Sequence, residues 1–401
     1  MLEIPIVFAA NDIYAPMCGV CIKSLINNLT DDCKVRVFIL TEYISAAHIK
    51  KLSSLQTENA SIEIVDVGGL MEDRKIPTVS HLSKETAYRL LIGELFSQYS
   101  KVLYIDSDTI VKRNIKELYE TDITGYLIGA ARSRMFDWLY KYVSEDLNIN
   151  PDYYFNAGIL LINVQEFIKA EIGRQGMSML EEKRYDNQDQ DVLNILCQNK
   201  VKFIDGRWNV EWIHLTENAG KQILDEFHKD MPLYDDDPYI IHYDTPTKPW
   251  SNPEMLMADC FWKEAKDSVF YEELLFYGMI KANASGNNDS NKLFSRYVFP
   301  WKSVKADSQI VIYGAGVVGR TFLEQLKVTK YCAVNAVIDK NHDAIKGLSV
   351  PVIELFSIED FEYDYVVIAI EKEEIAQSVM SDLIRNGISE KKLVWRKYSA
   401  C

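Results

Sequence analysis

KVLYIDSDTIV, residues 101–111, places a short apolar run directly before two carboxylates, Asp106 and Asp108. Such runs predict buried strands. Similar runs occur at residues 4–10, 35–41 and 62–67, and segments with helical spacing lie at 15–28, 45–55 and 83–96. This alternation predicts an α/β fold, a parallel sheet with helices on both faces. Ligands of such sheets bind beyond the carboxyl ends of the strands, where Asn11, Asp106 and Asp108 lie.

The composition bounds the class of protein. The 401 residues, 48% of them hydrophobic and 26% charged, suffice for two or three globular domains. A net charge of −15 repels phosphate backbones and argues against a general nucleic-acid binder. Seven scattered cysteines favour reduced thiols, and neither a signal peptide nor a spanning apolar run is evident. We therefore expect a cytoplasmic protein, at most peripheral at the inner face of the membrane.

The pair Asp106 and Asp108 is a candidate metal site. Two carboxylates at the edge of an apolar core repel each other unless a divalent cation, Mg²⁺ or Mn²⁺, lies between them and a diphosphate. Alone, a D-x-D sequence is more often a solvated turn. Here a second predicted strand ends at His242, whose imidazole would be a third ligand of the metal. Lys248 follows six residues later, and its ammonium group could contact a phosphate as a point charge. A lone histidine in an apolar strand is otherwise more often a core residue.

Amides and acids beside buried segments suggest a sugar site. Asn156 lies in YYFNAGILLINV (153–164), and Asp189 and Gln190 lie in NQDQDVLN (187–194). Because amides both donate and accept hydrogen bonds, they suit the hydroxyls of a sugar.

Six motifs together resemble glycosyltransferase family 8. They are FAANDIYA (8–15), TAYRLLIGE (86–94), KVLYIDSDTIV (101–111), YYFNAGILLINV (153–164), NQDQDVLN (187–194) and HYDTPTKPW (242–250), in order over roughly residues 1–265. The resemblance implies a GT-A fold, a UDP-sugar donor, Mn²⁺ (or Mg²⁺) and retention of anomeric configuration. It implies UDP-glucose or UDP-galactose as donor and a glycan, lipid-linked or glycoprotein acceptor.

The resemblance also assigns residues by position. Asp106, Asp108 and His242 would bind the metal. Asp189 or the Gln190 carbonyl would stabilise charge on the sugar, and Lys248 would contact the departing diphosphate. The remaining donor-binding residues would be Ala9, Ala10, Asn11, Arg89, Ser107, Asn156 and Thr245.

Three positions depart from the family pattern. Family members often have Asp where Asn11 lies, so the uracil contact here is neutral. Gly is usual at Thr245, so we expect a stiffer phosphate loop. Some galactosyltransferases have an Asp at Ser133, so the sequence does not separate glucose from galactose donors.

The C-terminal residues predict a second α/β domain. Gly314, Gly316 and Gly319 follow a predicted strand, and Asp339 ends the next. This is the context of a dinucleotide fingerprint, although only half the length of a Rossmann domain remains; close helix–strand packing without a cofactor is the alternative. We predict a catalytic domain at 1–265, a helical and linker segment at 266–305 with its linker at 282–292, and a small Rossmann-like domain at 306–401.

Three functions are compatible with these features. The first is a metal-dependent retaining hexosyltransferase. The second is a non-catalytic UDP-sugar-binding regulator whose tail senses nucleotide. An NAD-dependent sugar oxidoreductase rests on the tail alone.

A basic and aromatic stretch follows the predicted linker. Lys292, Arg296, Lys302 and Lys305 alternate with Phe294, Tyr297, Phe299 and Trp301. Such a mixture suits an anionic membrane surface, and the alternative is that Phe299, Pro300 and Trp301 pack the second domain against the first.

Overall fold

The structure is a computed structural model that describes residues 2–77, 83–211, 237–253, 255–275, 277, 297, 299–300, 303–305, 307–329 and 331–396. It divides into two compact units, Met1–Lys248 with Asp259–Phe270, and Pro249–Ala258 with Tyr271–Cys401. Within the described residues, no helix has both the length and the apolar character to cross a bilayer. The domain boundaries at 265 and 305 stay a prediction, and the linker at 282–292 lies outside the described residues.

The first unit contains two sheets. Its strands are β1 Leu2–Ala9, β2 Cys33–Thr41, β3 Ala60–Asp66, β4 Lys101–Ile105, β5 Thr109–Val111, β6 Ile128–Arg132, β7 Phe155–Asn163, β8 Val201–Phe203, β9 Val210–Glu211 and β10 Ile240–His242. Seven form a sheet in the order β3-β2-β1-β4-β7-β6-β8, and three form a second sheet in the order β5-β10-β9.

The α/β class is confirmed, but a fully parallel sheet is wrong. β1 to β4 run parallel, whereas β7 is antiparallel to both β4 and β6. β7 is buried over eight of its nine residues. A continuous apolar run predicts burial on both faces but carries no information about strand direction, so the sequence did not reveal the reversal.

Several helices lie in the part of the chain up to residue 266 that the structure describes. They are α1 Ala15–Asn27, α2 Ala46–Ser53, α3 Gly68–Met71, α4 Ile92–Leu95, α5 Lys116–Tyr119, α6 Asp137–Lys141, α7 Val164–Lys169, α8 Ile172–Glu182, α9 Gln188–Leu196 and α10 Ala258–Lys266, with a π-helical turn at Tyr142–Asp146 and 3₁₀ helices at Lys84–Leu91, Pro151–Tyr153 and Gly206–Asn209.

The helix predicted at 83–96 is mostly 3₁₀. Residues 87–91 are all buried, including Arg89. An amphipathic α-helix buries only three or four residues in two turns, so five consecutive buried residues do not fit it.

The core of this unit supports the strand ends that carry the polar motifs. Val7, Val102, Leu160, Phe167 and Leu193, on strands β1, β4 and β7 and helices α7 and α9, are at most 1% exposed. Burial of each such side chain contributes about 1.5–3 kcal/mol, so these strands form a firm base for the residues at their ends.

The second unit is a small α/β domain, as predicted. Its strands β11 Gln309–Tyr313, β12 Ala333–Ile338, β13 Val352–Ile353, β14 Tyr365–Ile368 and β15 Leu393–Val394 form a parallel sheet in the order β13-β12-β11-β14-β15. The helices given for its described residues include α11 Val317–Thr329 and α12 Glu373–Arg385, with 3₁₀ helices at His342–Ala344, Leu355–Asp360 and Glu390–Lys392.

The glycine-rich loop of this unit approaches its neighbours closely. Gly314 has a φ of +109°, and a Cβ on Gly319 would overlap the carbonyl oxygen of Gly314. The two carboxylate oxygens of Asp339 accept hydrogen bonds from the backbone N–H groups of Ala315 and Asn341, over 2.8 and 2.9 Å. Because a dinucleotide-binding loop has the same tight turn and the same close approach at its third glycine, these contacts fit both interpretations, and both stay predictions.

Two aromatic residues of the basic stretch are buried in the second unit. Phe299 packs edge-on against Phe322, with ring centroids 5.4 Å apart, and its N–H donates to Gln325. The Tyr297 hydroxyl donates to Glu371 over 2.8 Å. Both side chains thus contact residues of the second unit, and the membrane surface and its packing alternative stay predictions. Lys292, Phe294, Arg296, Trp301 and Lys302 lie outside the described residues.

Candidate metal and donor site

The turn at Asp106–Asp108 lies where the strand order of the large sheet reverses. β1 has β2 on one side and β4 on the other, and ligands of α/β sheets bind at such a point. The Ser107 hydroxyl donates to the carbonyl of Ala9 over 2.7 Å, which ties the turn to the end of β1. The N–H of Asp106 donates to the carbonyl of Gly158 over 2.8 Å, which ties it to β7.

His242 reaches this turn from the second sheet. It ends β10 and pairs with Thr109 on β5, one residue beyond Asp108. Its Nε2 lies 3.3 Å from Asp108 Oδ1 and 3.7 Å from Asp106 Oδ2. One ligand atom of each residue lies within 4.8 Å of the other two. Two carboxylate oxygens and one imidazole nitrogen are a donor set that fits Mn²⁺ or Mg²⁺.

The second oxygen of each carboxylate is held by a cation. Asp106 Oδ1 accepts from Arg89 Nη2 over 2.9 Å and from the Tyr104 hydroxyl over 2.8 Å. Asp108 Oδ2 accepts from Lys248 Nζ over 2.6 Å, and Lys248 also donates to the carbonyl of Tyr243. These bonds leave Asp106 Oδ2 and Asp108 Oδ1 on the side of His242, and bonds of this kind orient metal ligands.

Burial and neighbouring charges shift the pKa values of Asp106, Asp108 and His242 in opposite directions. Burial acts to raise the pKa of Asp108, but Lys248 and His242 outweigh it and lower that pKa. Burial raises the pKa of Asp106, and Arg89 only partly offsets this. Burial acts to lower the pKa of His242, yet Asp108 raises it to about 9. The two carboxylates and the imidazole therefore form one strongly interacting group.

Gly158 makes room for this group. A Cβ built on Gly158 would overlap His242 Cε1 and would lie 2.7 Å from His242 Nδ1 and 2.9 Å from Asp106 Oδ2. Any side chain at this position of β7 would thus displace two of the three candidate ligands.

A buried chain of amides lies behind His242. His242 Nδ1 is 2.9 Å from Asn209 Oδ1, Asn209 Nδ2 donates to Asn156 Oδ1 over 2.9 Å, and Asn156 Nδ2 donates to Glu211 Oε1 over 2.8 Å. Asn156 was predicted to face the transferred sugar, and its amide here is engaged in these internal bonds. Sequence reasoning missed Asn209 and Glu211, because only the pairing of β9 with β10 brings them to His242.

Glu211 and Asp244 add two further carboxyl groups to the site. Burial, and then repulsion by Asp244, raises the pKa of Glu211 to about 8. Burial also raises the pKa of Asp244. The Ser133 hydroxyl donates to Glu211 Oε1 over 3.4 Å. Some galactosyltransferases have an Asp at the Ser133 position; here the carboxyl group beside this position belongs to Glu211 on β9.

A second polar group near the turn is formed by Asp189, which pairs with Arg89, and by Gln190, the next residue of α9. Asp189 Oδ2 is 2.8 Å from Arg89 Nε, and both side chains are about 5% exposed or less. Burial raises the pKa of Asp189 to about 6. Gln190 Oε1 accepts from the N–H of Ala157 over 3.0 Å, and Gln190 Nε2 donates to Tyr154. Arg89 thus links Asp189 to the candidate ligand Asp106, and the roles predicted for Asp189 and Gln190 stay predictions.

Two predicted UDP-sugar-binding segments lie at the edge of the sheet where the Asp106–Asp108 turn lies. One is at the end of β1, and the other is the 245–248 loop. Ala9 and Ala10 are buried, and Asn11 Oδ1 accepts from the N–H of Tyr14 over 3.0 Å. The Thr245 hydroxyl donates to the carbonyl of Thr247 over 3.0 Å. Because Ala9 is bonded to Ser107 and Lys248 to Asp108, both segments adjoin the Asp106–Asp108 turn, called the metal turn below.

Comparison with known protein families identifies the chain. Residues 5–254, more than half of the sequence, match the model of glycosyl transferase family 8. The chain belongs to glycosyltransferase family 8. Residues 306–394 match a second model, described as C2185-like, N-terminal.

Several bacterial glycosyltransferases are similar to this chain. A putative glycosyltransferase of Haemophilus influenzae is 30% identical over 51% of this chain and 62% of its own length. The lipopolysaccharide 1,3-galactosyltransferase of Salmonella typhimurium is 26% identical over 63% of this chain and 74% of its own length. The lipopolysaccharide glucosyltransferase WaaO of Escherichia coli is 26% identical over 58% of this chain and 68% of its own length.

Solved structures agree on the fold. The galactosyltransferase LgtC, in complex with donor and acceptor sugar analogs, matches with a TM-score of 0.56 and 26% identity, over 66% of this chain and 96% of LgtC. The bifunctional glycosyltransferase WbbM matches with a TM-score of 0.57 and 26% identity, over 69% of this chain. The match spans 52% of WbbM, about half its length. The catalytic fold is therefore of the GT-A type, followed by an additional α/β sheet domain.

Proposed function

We propose that this family 8 protein transfers glucose or galactose from a UDP-sugar to a hydroxyl group of a glycan, glycolipid or glycoprotein acceptor, with retention of configuration. The observation that carries the proposal is the convergence of Asp106 Oδ2, Asp108 Oδ1 and His242 Nε2 at the reversal point of the sheet. The similar lipopolysaccharide galactosyl- and glucosyltransferases support the choice of hexose.

Asp106, Asp108 and His242 would hold Mn²⁺ or Mg²⁺. When bound, the ion supplies Lewis-acid stabilisation of the negative charge that develops on the diphosphate. Arg89 and Lys248 hold the two carboxylates in place through their second oxygens. The protein side of the site is therefore preorganised, and such preorganisation accounts for much of the effect of electrostatic catalysis.

Lys248 is the residue that we assign to the leaving group. Burial acts to lower the pKa of Lys248, but Asp108 raises it, so the ammonium group stays charged beside the metal turn. A cation at this position attracts the diphosphate and stabilises it as the bond to the sugar breaks.

Asp189 and Gln190 are proposed to face the positive charge that develops on the sugar. Gln190 Oε1 already accepts one hydrogen bond, from Ala157, and a carbonyl oxygen has a second lone pair for the sugar. Asp189 is bonded to Arg89 and would act through that pair.

Donor turnover tests this proposal. The full chain is incubated with UDP-glucose or UDP-galactose and Mn²⁺, and released UDP is measured with and without a panel of glycan acceptors. We expect metal-dependent release from one of the two donors, and a loss of most of that release in Asp106→Asn and Asp108→Asn proteins that remain folded. Binding of UDP-sugar without release, with any acceptor, would support the regulator instead.

A further inference from the structure

The environment of His242 determines which ring nitrogen carries its proton. His242 and Asn209 are 3% and 6% exposed, and His242 Nδ1 lies 2.9 Å from the Asn209 side chain. If the carbonyl oxygen of that amide faces the ring, Nδ1 must donate; if the NH₂ group faces it, Nδ1 must accept. The orientation of one buried amide therefore selects the tautomer of a candidate metal ligand.

A backbone group fixes the first amide of the chain. The N–H of Gly158 can only donate, and it lies 2.8 Å from Asn156 Oδ1. The NH₂ group of Asn156 is consequently the part of that amide that faces Glu211 Oε1, 2.8 Å away. Glu211 Oε1 accepts this bond, which agrees with the orientation that the Gly158 N–H requires.

The orientation of Asn156 then fixes Asn209. Asn156 Oδ1 is an acceptor, so the atom of Asn209 that lies 2.9 Å from it is the donor Nδ2. Asn209 Oδ1 therefore faces His242, and His242 Nδ1 must carry a hydrogen to bond with it. The unprotonated nitrogen of the neutral ring is then Nε2, which faces Asp106 and Asp108.

We propose that Asn209 is a positioning residue that, oriented through Asn156 by the Gly158 N–H, holds His242 as the Nδ1–H tautomer and so presents the Nε2 lone pair to a divalent cation. This inference rests on the proposed function, because it assumes that the three side chains bind a metal. Hydrogen bonds to the second nitrogen of a metal-binding histidine fix its tautomer and ring orientation.

Nitrogen-15 NMR of the wild-type protein tests the tautomer directly. The six histidines are labelled in both ring nitrogens, and the His242 signals are assigned by their loss in His242→Gln. In the metal-free protein we expect Nδ1 to remain protonated throughout an alkaline titration, while Nε2 alone moves to the shift of an unprotonated nitrogen. Loss of the proton from Nδ1 would overturn the proposal whether or not any variant at position 209 folds.

Mn²⁺ affinity tests the effect on the metal. Asn209→Leu removes the acceptor, and we expect its Mn²⁺ dissociation constant, measured by electron paramagnetic resonance with and without UDP, to rise roughly 10- to 100-fold. Asn209→Asp keeps an oxygen for the Nδ1–H group but loses the Nδ2 donor to Asn156, so we expect it to keep the same NMR pattern and a higher Mn²⁺ affinity than Asn209→Leu.

Asn194→Leu is the matched control. Asn194 is another buried amide, and its side chain bonds to the backbone of Phe155 on β7 and of Gln190 on α9. We expect it to lower the melting temperature while leaving Mn²⁺ affinity unchanged. Equal affinities of wild-type and Asn209→Leu proteins would contradict the positioning role. A wild-type protein that binds no Mn²⁺, even with UDP, would instead contradict the proposed metal site, and the NMR titration would still decide the tautomer.

Discussion

Gly158→Ala adds one methyl group at the centre of the candidate metal site. The new Cβ would lie 2.7 Å from His242 Nδ1 and 2.9 Å from Asp106 Oδ2. Ordinary contacts are about 3.5–4.0 Å, so the carboxylate must move away by roughly 0.6–1 Å, and the ring, whose Cε1 would overlap the new Cβ, must move by more than about 1 Å. Metal sites hold their ligand distances to about ±0.2 Å, so we expect Mn²⁺ affinity and UDP release to fall by on the order of 100-fold or more.

The fold should survive this substitution. The backbone of Gly158 does not have a positive φ, so alanine fits it, and overpacking of this kind costs about 1–3 kcal/mol. Mn²⁺ binding is measured by paramagnetic resonance, UDP release by a coupled assay, and unfolding by circular dichroism. Gly129→Ala, on the neighbouring strand β6, is the control, because its Cβ would press on Ile123 and Leu161 at 3.2 and 3.3 Å, away from the metal turn. Wild-type Mn²⁺ affinity in Gly158→Ala would refute the assignment of His242 and Asp106 as ligands.

Three further predictions follow from single side chains. Lys248→Met should lower kcat for UDP release by on the order of 100-fold while leaving a folded protein, and an unchanged kcat would exclude Lys248 from the leaving-group role. The pKa of Glu211 is about 8 against an ordinary 4.5, so the stability that this group contributes is present below about pH 4.5 and is lost as pH rises through about 8. Chemical denaturation should therefore show that Glu211→Gln flattens the decline in the free energy of unfolding over this range, and an identical pH profile would contradict the burial of a neutral carboxyl group. Gly319→Ala places a methyl group against the Gly314 carbonyl and should destabilise the second unit, seen as an earlier thermal transition, while UDP release at 20 °C stays normal; a parallel loss of release would show that the second unit is needed for activity.

Much of the architecture could be predicted from hydrophobic pattern. The apolar runs at 4–10, 35–41 and 62–67 predict β1, β2 and β3 with ends within two residues of the structure, because β-branched apolar runs favour strands. The reversed direction of β7 and the 3₁₀ helix at Lys84–Leu91 could not be predicted in this way, since both depend on tertiary packing that the local pattern does not encode.

The metal turn was predictable for a different reason. Asp106, Asp108 and His242 each follow or end an apolar strand, so their sequence context alone indicates a site. Asn209 and Glu211 lie in a short segment without such context, and only the pairing of β9 with β10 brings them behind His242. The candidate metal ligands were thus easier to predict from the sequence than the residues that orient them.

Anomalous diffraction from crystals grown with Mn²⁺ and UDP tests the central claim, that one metal held by Asp106, Asp108 and His242 contacts the diphosphate of the donor. Data are collected above the manganese absorption edge, and an Asp108→Asn crystal serves as the control. We expect a single strong peak bonded to Asp106 Oδ2, Asp108 Oδ1, His242 Nε2 and diphosphate oxygens, and a weaker peak or none in the variant. A manganese peak away from these three side chains, with UDP bound elsewhere, would contradict the proposed site.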